Sequence, residues 1–462
     1  MGSRDRPNMS ARRRDARGRS ESTSWHPKLS KRYASIAVKV RLVTAACLFV
    51  CDVAVAQRLD VPGVAPIDRP VSIRGSGLSA GRIVRVRTAA IDDAGRRWTA
   101  FATYRADARG TIDVERDVPL STSYGDLGPG GIFSGMRADG DDDDRLRFLT
   151  REATSIVTSI VLTDSSGARL DSVSIERQFR APVVREVAVT EGGLRGHLYL
   201  PADAPAPGVL VLGGSEGGYA DQVAALLATN GFAALSLAYF GVEGLPTELG
   251  EIPLEYFERA LAWLDAHEGV ARGGVALLGT SKGAEAALLV AGRSPRVKAV
   301  VAYAPSSVAW DCICSGASRP SWTSAGTGII SVPQLPPVPV PPGAPVRPVV
   351  NYLNRLQRAP DGATIAVERI RGPLLLIAGD DDQLWPSLLM AQRIMRRRAE
   401  RGGHAHDRLL AYAGAGHLIG KAFLPSGSTR IAGGRIETGG TPAANARAQA
   451  DAWPKVVEFL RR

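Results

Sequence analysis

Cysteine and histidine are scarce in this chain of 462 residues, which contains four of the first and six of the second. Removal of the N-terminal leader described below would take away Cys47 and Cys51 and leave only Cys312 and Cys314, in "WDCIC". A single Cys-x-Cys pair with no histidine nearby is a poor metal site. A disulfide across one residue is strained, so we expect two small packed or free thiols. The sequence predicts no metal site and no other cofactor.

The sequence also lacks phosphate-binding motifs, and the body of the chain, residues 57–462, has little net charge. Neither Gly-x-x-x-x-Gly-Lys-Ser/Thr nor Gly-x-Gly-x-x-Gly occurs, which argues against nucleotide binding. The net charge of +11 is concentrated in residues 1–56, with 12 basic and 4 acidic residues, whereas residues 57–462 hold 45 and 42. The body therefore lacks the charge pattern of a nucleic-acid-binding protein, and no nucleic-acid partner is predicted.

The N-terminus has the features of an export signal. Basic residues precede the apolar stretch "LVTAACLFV", and Ala54-Val55-Ala56 fits the small-x-small rule for cleavage. We interpret residues 1–56 as a signal peptide or basic leader, cleaved after Ala56, with Met9 as an alternative start. The apolar stretch is too short for a stable membrane span. A periplasmic or secreted protein is predicted; the alternative is a cytoplasmic protein that keeps a basic tail, followed by a buried strand.

Two patterns of secondary structure follow the leader. Residues 57–185 contain short runs rich in Val, Ile and Thr, such as "RIVRVRTAAI", which predict an all-β, immunoglobulin-like sandwich domain. Its acidic run at 141–144 lacks the ligand spacing of a calcium loop, so we expect a solvated loop. Residues 186–462 alternate apolar strands with helices, which predicts a mostly parallel sheet with helices on both faces. An insertion at about 304–370 has a proline-rich centre, which we expect to be extended and to border the site.

Ser281 is the candidate nucleophile. It lies in Gly279-Thr280-Ser281-Lys282-Gly283, between the strand-like "GVALLG" and the helix-like "KGAEAALLVAG". A Gly-x-Ser-x-Gly match at a strand-to-helix turn predicts a nucleophile elbow, in which a sharp turn exposes the serine hydroxyl. The alternative, a glycine-rich turn without chemistry, is weaker in this context.

The base and the acid follow from chain order. His417 lies in "AYAGAGHLIG", a glycine-rich loop after the last predicted strand, and the other five histidines lie in the leader, in a strand before the sheet begins, at a helix end or in "RGGHAHDR". The order Ser, acid, His is that of α/β-hydrolases. Asp382, three residues after the glycine that ends "PLLLIAG", is the predicted acid, with Asp381 as the alternative.

Backbone N–H groups are expected to form an oxyanion hole. One is that of Lys282, at the start of the helix after the elbow. The second comes from Ser215 or Glu216 in "VLVLGGSEGGYADQ", a glycine-rich turn after an earlier buried strand.

Together these residues resemble the family of acyl-CoA thioesterases and bile-acid-CoA:amino-acid N-acyltransferases. The likeness covers nearly all of residues 65–462. In the C-terminal part it rests on "GGSEGG", "IPLEYFERALAWL", "LLGTSKGAEAALLVA", "IAGDDDQLWPS" and "YAGAGHLI", and in the N-terminal part on "SYGDLGPGGIFSGMRA". The resemblance implies an N-terminal β-sandwich, a C-terminal α/β-hydrolase and the triad Ser281, Asp382 and His417.

The chain also departs from this family. Members that conjugate amino acids use cysteine at the nucleophile position, whereas this chain has Ser281. Since a serine acyl-enzyme is an ester, less reactive toward amines than a thioester, water is the expected acceptor. Export would separate the protein from cytoplasmic acyl-CoA, and the proline-rich insertion is unlike the family.

We therefore predict a serine hydrolase that cleaves acyl thioesters through an acyl-enzyme on Ser281. Its substrate is a small-molecule acyl thioester or ester. An exported carboxylesterase and an acyltransferase to an amine are the alternatives, and a non-catalytic lipid- or carbohydrate-binding protein is less favoured, because the three candidate residues fall in order after strands.

Overall fold

The computed structural model describes residues 56–140, 146–150, 153–420, 424–426 and 428–462. The predicted leader up to residue 55 and the acidic run at 141–144 lie outside the described residues. Within those ranges, no helix combines the length and the apolar character that a membrane crossing needs.

The first part of the described chain consists of short strands in two sheets. Its elements are β1 (Arg58–Asp60), β2 (Val64–Pro66), β3 (Arg74–Ser76), β4 (Ile83–Ile91), β5 (Arg97–Arg105), β6 (Ile112–Asp113), β7 (Ser121–Thr122), α1 (Gly131–Ser134), β8 (Arg137–Ala138), β9 (Ser155–Asp164) and β10 (Arg169–Gln178). One sheet has the order β1-β3-β6; the other has the order β2-β10-β9-β4-β5-β7, with β8 on β5. Alternate residues of β4 and β5 are buried, because successive side chains of a strand point to opposite faces.

The second part alternates strands and helices. Its elements are β11 (Arg185–Val189), β12 (Gly196–Leu200), β13 (Gly208–Leu212), α2 (Asp221–Thr229), β14 (Ala233–Leu237), β15 (Ile252–Pro253), α3 (Leu254–Ala266), β16 (Val275–Thr280), α4 (Lys282–Ala291), β17 (Val297–Tyr303), β18 (Trp322–Ser324), β19 (Thr327–Gly328), α5 (Pro348–Leu356), β20 (Leu374–Gly379), α6 (Ser387–Glu400), β21 (Arg408–Tyr412), β22 (Arg430–Ile431), β23 (Ile436–Glu437) and α7 (Pro442–Leu460).

An eight-stranded sheet forms the centre of this part. Its order is β11-β12-β14-β13-β16-β17-β20-β21, and the six strands from β14 to β21 along this order are parallel. Strands β13, β14 and β20 are buried at every residue, as expected for a parallel sheet with helices on both faces. The carboxyl ends of the parallel strands all meet at one edge, where such sheets bind their ligands.

The centre of the insertion is extended. Residues 333–347, most of the proline-rich stretch, contain neither helix nor strand, and α5 begins at Pro348. This agrees with the prediction of an extended segment, since proline removes a hydrogen-bond donor and disfavours the helical conformation in the residue before it.

Two predictions were wrong. His197, expected in a strand before the sheet begins, lies in β12, which pairs with β14 inside the eight-stranded sheet. The first two strands of this sheet, β11 and β12, pair antiparallel. Antiparallel neighbours need no crossover helix, so an alternation of strands and helices does not reveal them. Cys312 and Cys314, expected as free or packed thiols, form a disulfide, with Cα atoms 5.3 Å apart. That separation lies within the usual range for disulfides.

Candidate active site

Ser281 lies at the turn between β16 and α4, with φ 56° and ψ −119°. A positive φ is unusual for a residue with a side chain and is characteristic of strained functional turns. The turn is held by its own backbone: the N–H of Ser281 donates to the carbonyl of Tyr303 at the end of β17, at 2.9 Å. The side chain is nearly buried, at 7% exposure, and lines a cavity.

The glycines beside Ser281 allow backbones to approach closely. A Cβ on Gly279 would lie 2.3 Å from the carbonyl oxygen of Gly283, and a Cβ on Gly283 would lie 2.2 Å from that of Gly213. Both distances are far shorter than real Cβ contacts. A side chain at Gly279 would therefore force β16 away from the start of α4, and one at Gly283 would displace the elbow from the end of β13. Steric exclusion of a side chain therefore explains why both positions of the pentapeptide are glycine.

His417 and Asp382 are in direct contact. Nδ1 of His417 lies 2.8 Å from Oδ2 of Asp382, and both side chains are buried. The other carboxylate oxygen, Oδ1, accepts the backbone N–H groups of Leu384 at 2.9 Å and Trp385 at 3.1 Å. Facing a carboxylate, Nδ1 carries a proton, which leaves Nε2 as the proton acceptor in neutral imidazole.

Asp381, the alternative acid, contacts different groups. Its Oδ2 accepts the N–H of Gly440 at 3.0 Å, and its Oδ1 accepts a hydrogen bond from the side chain of Gln383. Of these two aspartates, only Asp382 is in hydrogen-bond contact with His417 in the structure.

The glycine-rich turn after β13 lies against the elbow. A Cβ on Gly214 would be 3.5 Å from Cβ of Ser281, and Ser215 and Glu216 line the same cavity as Ser281 and His417. Lys282 is the first residue of α4, and the first N–H groups of a helix have no partner within it. The start of α4 and the glycine-rich turn after β13 therefore both lie next to Ser281.

The hydroxyl of Tyr239 orients this turn, and sequence reasoning missed it. It donates to the carbonyl of Gly213 at 2.8 Å and lies 3.1 Å from that of Gly214. Burial holds the pKa of this tyrosine well above its usual value, so it remains a donor. No motif marks Tyr239, because its partners lie about 25 residues earlier.

Sequence reasoning also missed a buried ion pair beneath the elbow. Nζ of Lys282 lies 2.8 Å from Oε2 of Glu285, with exposures of 1% and 0%. Burial raises the pKa of Glu285 and lowers that of Lys282, and the attraction between the two charges opposes both shifts. Oε1 of Glu285 accepts the backbone N–H of Trp310 at 2.9 Å and the indole N–H of Trp322 at 2.6 Å. A lysine and a glutamate three residues apart in an otherwise apolar helix are the signal in the sequence.

Two cavities meet at Ser281. The glycine-loop pocket, of about 560 Å³, is lined by the turn after β13, by His417, and by Phe148 from the first part of the chain. The proline pocket, of about 720 Å³, is lined by Lys282, Trp385 and much of the proline-rich stretch. Ser281 lines both, and both volumes are typical of small-molecule sites, about 300–1,000 Å³. The insertion therefore lines a cavity that contains Ser281, in agreement with its expected position.

The remaining described histidines lie elsewhere. His197 pairs with Asp221, with Nδ1 3.0 Å from Oδ2, and this hydrogen bond raises its pKa. His267 follows α3, and His404 and His406 lie in the loop before β21. In the described ranges, no three or more His, Cys, Asp or Glu side chains form a group that could hold a metal ion.

A serine at a sharp strand-to-helix turn, at the carboxyl edge of a mostly parallel sheet, with an aspartate and a histidine after later strands, is the arrangement typical of α/β-hydrolases. Comparison with protein families narrows this class. Residues 252–462 match the model for the C-terminal part of BAAT and acyl-CoA thioester hydrolases, and residues 68–191 match the model for the N-terminal region of the same proteins. The chain belongs to this family of acyl-CoA thioesterases and bile-acid-CoA:amino-acid N-acyltransferases, and is a hydrolase-fold enzyme of the thioesterase type, with acyl transfer as the family's other reaction.

Relatives in the mouse, Mus musculus, share about a third of their residues with the chain. Acyl-coenzyme A amino acid N-acyltransferase 1 is 31% identical over 414 residues, covering 87% of this chain and 96% of its own. Acyl-coenzyme A thioesterase 6 is 31% identical over 405 residues, covering 86% and 93%. Peroxisomal succinyl-coenzyme A thioesterase is 31% identical over 406 residues, covering 85% and 93%.

The solved structures that match the chain share fewer of its residues. A dienelactone hydrolase-like promiscuous phosphotriesterase from metagenomic libraries is 17% identical, with a TM-score of 0.39, and the match covers 60% of this chain and 97% of that one. Dienelactone hydrolase from Anabaena variabilis is 19% identical, with a TM-score of 0.33, covering 60% and 98%.

Proposed function

We propose that the enzyme hydrolyses acyl thioesters through an acyl-enzyme on Ser281, with His417 as the base and Asp382 as the residue that orients it. The single observation that carries this proposal is the 2.8 Å hydrogen bond from His417 to Asp382, at the wall of a cavity that Ser281 also lines. An oriented base beside a serine is what activates a hydroxyl that is otherwise a weak nucleophile.

The reaction then has two halves. Nε2 of His417 takes the hydroxyl proton while Oγ of Ser281 attacks the thioester carbonyl, and the C–S bond breaks as the histidine returns the proton to the departing sulfur. In the second half His417 takes a proton from a water molecule, whose oxygen attacks the carbonyl carbon of the serine ester. The bond from that carbon to Oγ of Ser281 then breaks as the histidine returns the proton to Oγ, and the carboxylic acid is released. Each half passes through a tetrahedral oxyanion.

The oxyanion would be bound by the N–H of Lys282 and by one from Ser215 or Glu216. Support comes from the helix start at Lys282 and from the position of the glycine-rich turn against Ser281. Tyr239, by binding the carbonyls of that turn, would keep its N–H groups directed to the cavity. Preorganised donors of this kind are usually a large part of catalysis.

The test is the exchange Ser281→Ala, with hydrolysis of acetyl- and octanoyl-thioesters as the assay. Loss of the nucleophile is expected to lower kcat by several orders of magnitude while substrate binding persists. Ser79→Ala is the matched control, since Ser79 is exposed and remote in the chain. Equal rates for wild type and Ser281→Ala would remove Ser281 from the mechanism.

Acyl transfer to an amine is the second candidate, and it has a specific support in the 31% identity to an amino acid N-acyltransferase. Adding glycine or taurine to the thioester assay and searching for the amide by mass spectrometry separates the two. An ester intermediate favours water, so free acid is the expected product. An oxygen ester as the physiological substrate, and therefore a carboxylesterase, would use the same groups.

We further propose the domain boundaries and the location predicted from sequence: a leader at 1–56 cleaved after Ala56, an immunoglobulin-like sandwich at 57–185, and the hydrolase at 186–462 with its insertion at about 304–370. Sequencing the N-terminus of protein from culture medium, periplasm and cytoplasm tests the leader. A start at Gln57 outside the cytoplasm supports export; an intact leader on a cytoplasmic pool contradicts it.

A further inference from the structure

We propose that the proline pocket binds the acyl group of the substrate and selects for aliphatic chains, while the leaving group occupies the glycine-loop pocket. This inference rests on the proposed function, because it takes Ser281 as the nucleophile. Ser281 and Ser215 line both pockets, so a substrate whose carbonyl carbon lies at Ser281 extends into one pocket on each side.

The position of His417 decides which half of the substrate goes where. The histidine that deprotonates the serine also donates a proton to the leaving group, so the leaving atom must be close to it. Among the described residues that line the two pockets, His417 belongs to the glycine-loop pocket alone. The leaving group therefore points to that pocket, and the acyl chain is directed to the other.

Part of the wall of the proline pocket is aliphatic, as contact with an acyl chain requires. Ile313, Val338, Val340 and Val346 line it and are 47%, 41%, 42% and 38% exposed. Single exposed aliphatic residues are common, but several around one concave site are typical of a binding surface. Burying these side chains against an acyl chain removes apolar surface of both from water.

The wall is held in place before any substrate binds. Arg355, nearly buried in α5, donates to the carbonyls of Val332 at 2.9 Å and Pro333 at 2.8 Å, where the proline-rich stretch begins. At the other end of the stretch, the N–H of Val346 donates to the backbone carbonyl of Arg435, and the carbonyl of Val346 accepts from the backbone N–H of Glu437, each at 2.8 Å. A preformed wall loses little entropy on binding, which favours affinity for an apolar chain.

The test compares p-nitrophenyl octanoate with p-nitrophenyl acetate, which share one leaving group. Wild type is expected to show the higher kcat/KM for octanoate. Val340→Trp fills the proline pocket and is expected to lower the octanoate-to-acetate ratio of kcat/KM about tenfold, within the range that hydrophobic pockets achieve. Val338→Trp is a second variant at the same wall. Both positions are exposed, so the variants are expected to fold, which thermal unfolding checks.

Two controls separate the outcomes. Val118→Trp, at a position 88% exposed and away from both pockets, should leave the ratio unchanged. Tyr219→Trp, in the glycine-loop pocket, should also leave the ratio unchanged. An unchanged ratio in Val338→Trp and Val340→Trp, or a lowered ratio in Tyr219→Trp, overturns the assignment while Ser281-dependent hydrolysis of acetate still supports the proposed function. Ester hydrolysis that does not depend on Ser281 overturns both.

Discussion

Exchange of Asp382 for asparagine tests how the site controls the protonation of its histidine. The two carboxylate oxygens have different partners: Oδ2 faces Nδ1 of His417, and Oδ1 accepts hydrogen bonds from the backbone N–H groups of Leu384 and Trp385. Asparagine has only one acceptor oxygen. If that oxygen keeps the two backbone N–H groups, its NH₂ group faces Nδ1, which must then be the acceptor.

The consequence is the wrong tautomer of His417. With Nδ1 unprotonated, the proton of a neutral imidazole lies on Nε2, and the base can no longer accept the proton of Ser281. From the corresponding exchange in serine proteases, we expect kcat to fall by about 10⁴. That factor corresponds to about 5.4 kcal/mol of transition-state stabilisation.

The assay is thioester hydrolysis at saturating substrate, with thermal unfolding as the check that the variant folds. Asp381→Asn is the matched control, because the neighbouring carboxylate contacts Gly440 and Gln383 and not His417. We expect it to keep kcat within about tenfold of wild type. A decrease of less than tenfold in Asp382→Asn, or an equal decrease in Asp381→Asn, would refute the reasoning.

Three further exchanges have defined outcomes. Glu285→Gln leaves the buried ammonium of Lys282 without its counter-charge and should lower the free energy of unfolding by about 3–5 kcal/mol in urea titrations; a smaller loss in the double variant with Lys282→Met would identify the unpaired charge as the cause. Tyr239→Phe frees the carbonyls of the glycine-rich turn and should lower kcat by about tenfold or more with little change in KM; an effect on KM alone would contradict this role. Glu368, whose pKa its hydrogen bond to Arg397 lowers from 4.5 to about 2, stabilises the fold above pH 4.5 and loses this contribution as the pH falls toward 2. Glu368→Gln should therefore be less stable than wild type at pH 7, by about 0.2–1 kcal/mol for a partly exposed pair, and the difference should vanish near pH 2 in thermal unfolding curves.

The candidate site residues that directly follow strands could be located from the sequence. Buried parallel strands are continuous apolar runs, so the ends of β16 and β20 could be located, and with them the positions of Ser281 and Asp382. Strand β21 lies at the edge of the sheet and is only partly buried, and its position followed from the short run "RLLAYAG" and the glycine-rich loop with His417 after it. The contacts that depend on distant parts of the chain were not accessible. The partners of Glu285 lie 25 and 37 residues later, and those of Tyr239 about 25 residues earlier. Local patterns carry no information on such pairs.

The leading antiparallel strands and the disulfide were missed for related reasons. Strand β12 lies at the antiparallel side of the sheet, where a single turn of 3-10 helix, and no α-helix, separates it from β11. The Cys312–Cys314 bond depends on a loop conformation that brings the two Cα atoms to 5.3 Å, which spacing alone does not reveal.

The ion pair beneath the elbow has a consequence for engineering this enzyme. Glu285 binds Trp310 and Trp322, both of which belong to the insertion, and the ammonium of Lys282 lies 5.1 Å from the ring of Trp322. The insertion therefore cannot be exchanged freely. Deleting it would remove both donors to Glu285, and grafting a segment without a tryptophan at 322 would remove the indole donor, which leaves a buried carboxylate short of hydrogen bonds close to the turn that carries Ser281. A chimera intended to change acyl preference should retain residues 310–322 as host sequence and exchange only the proline-rich stretch that follows.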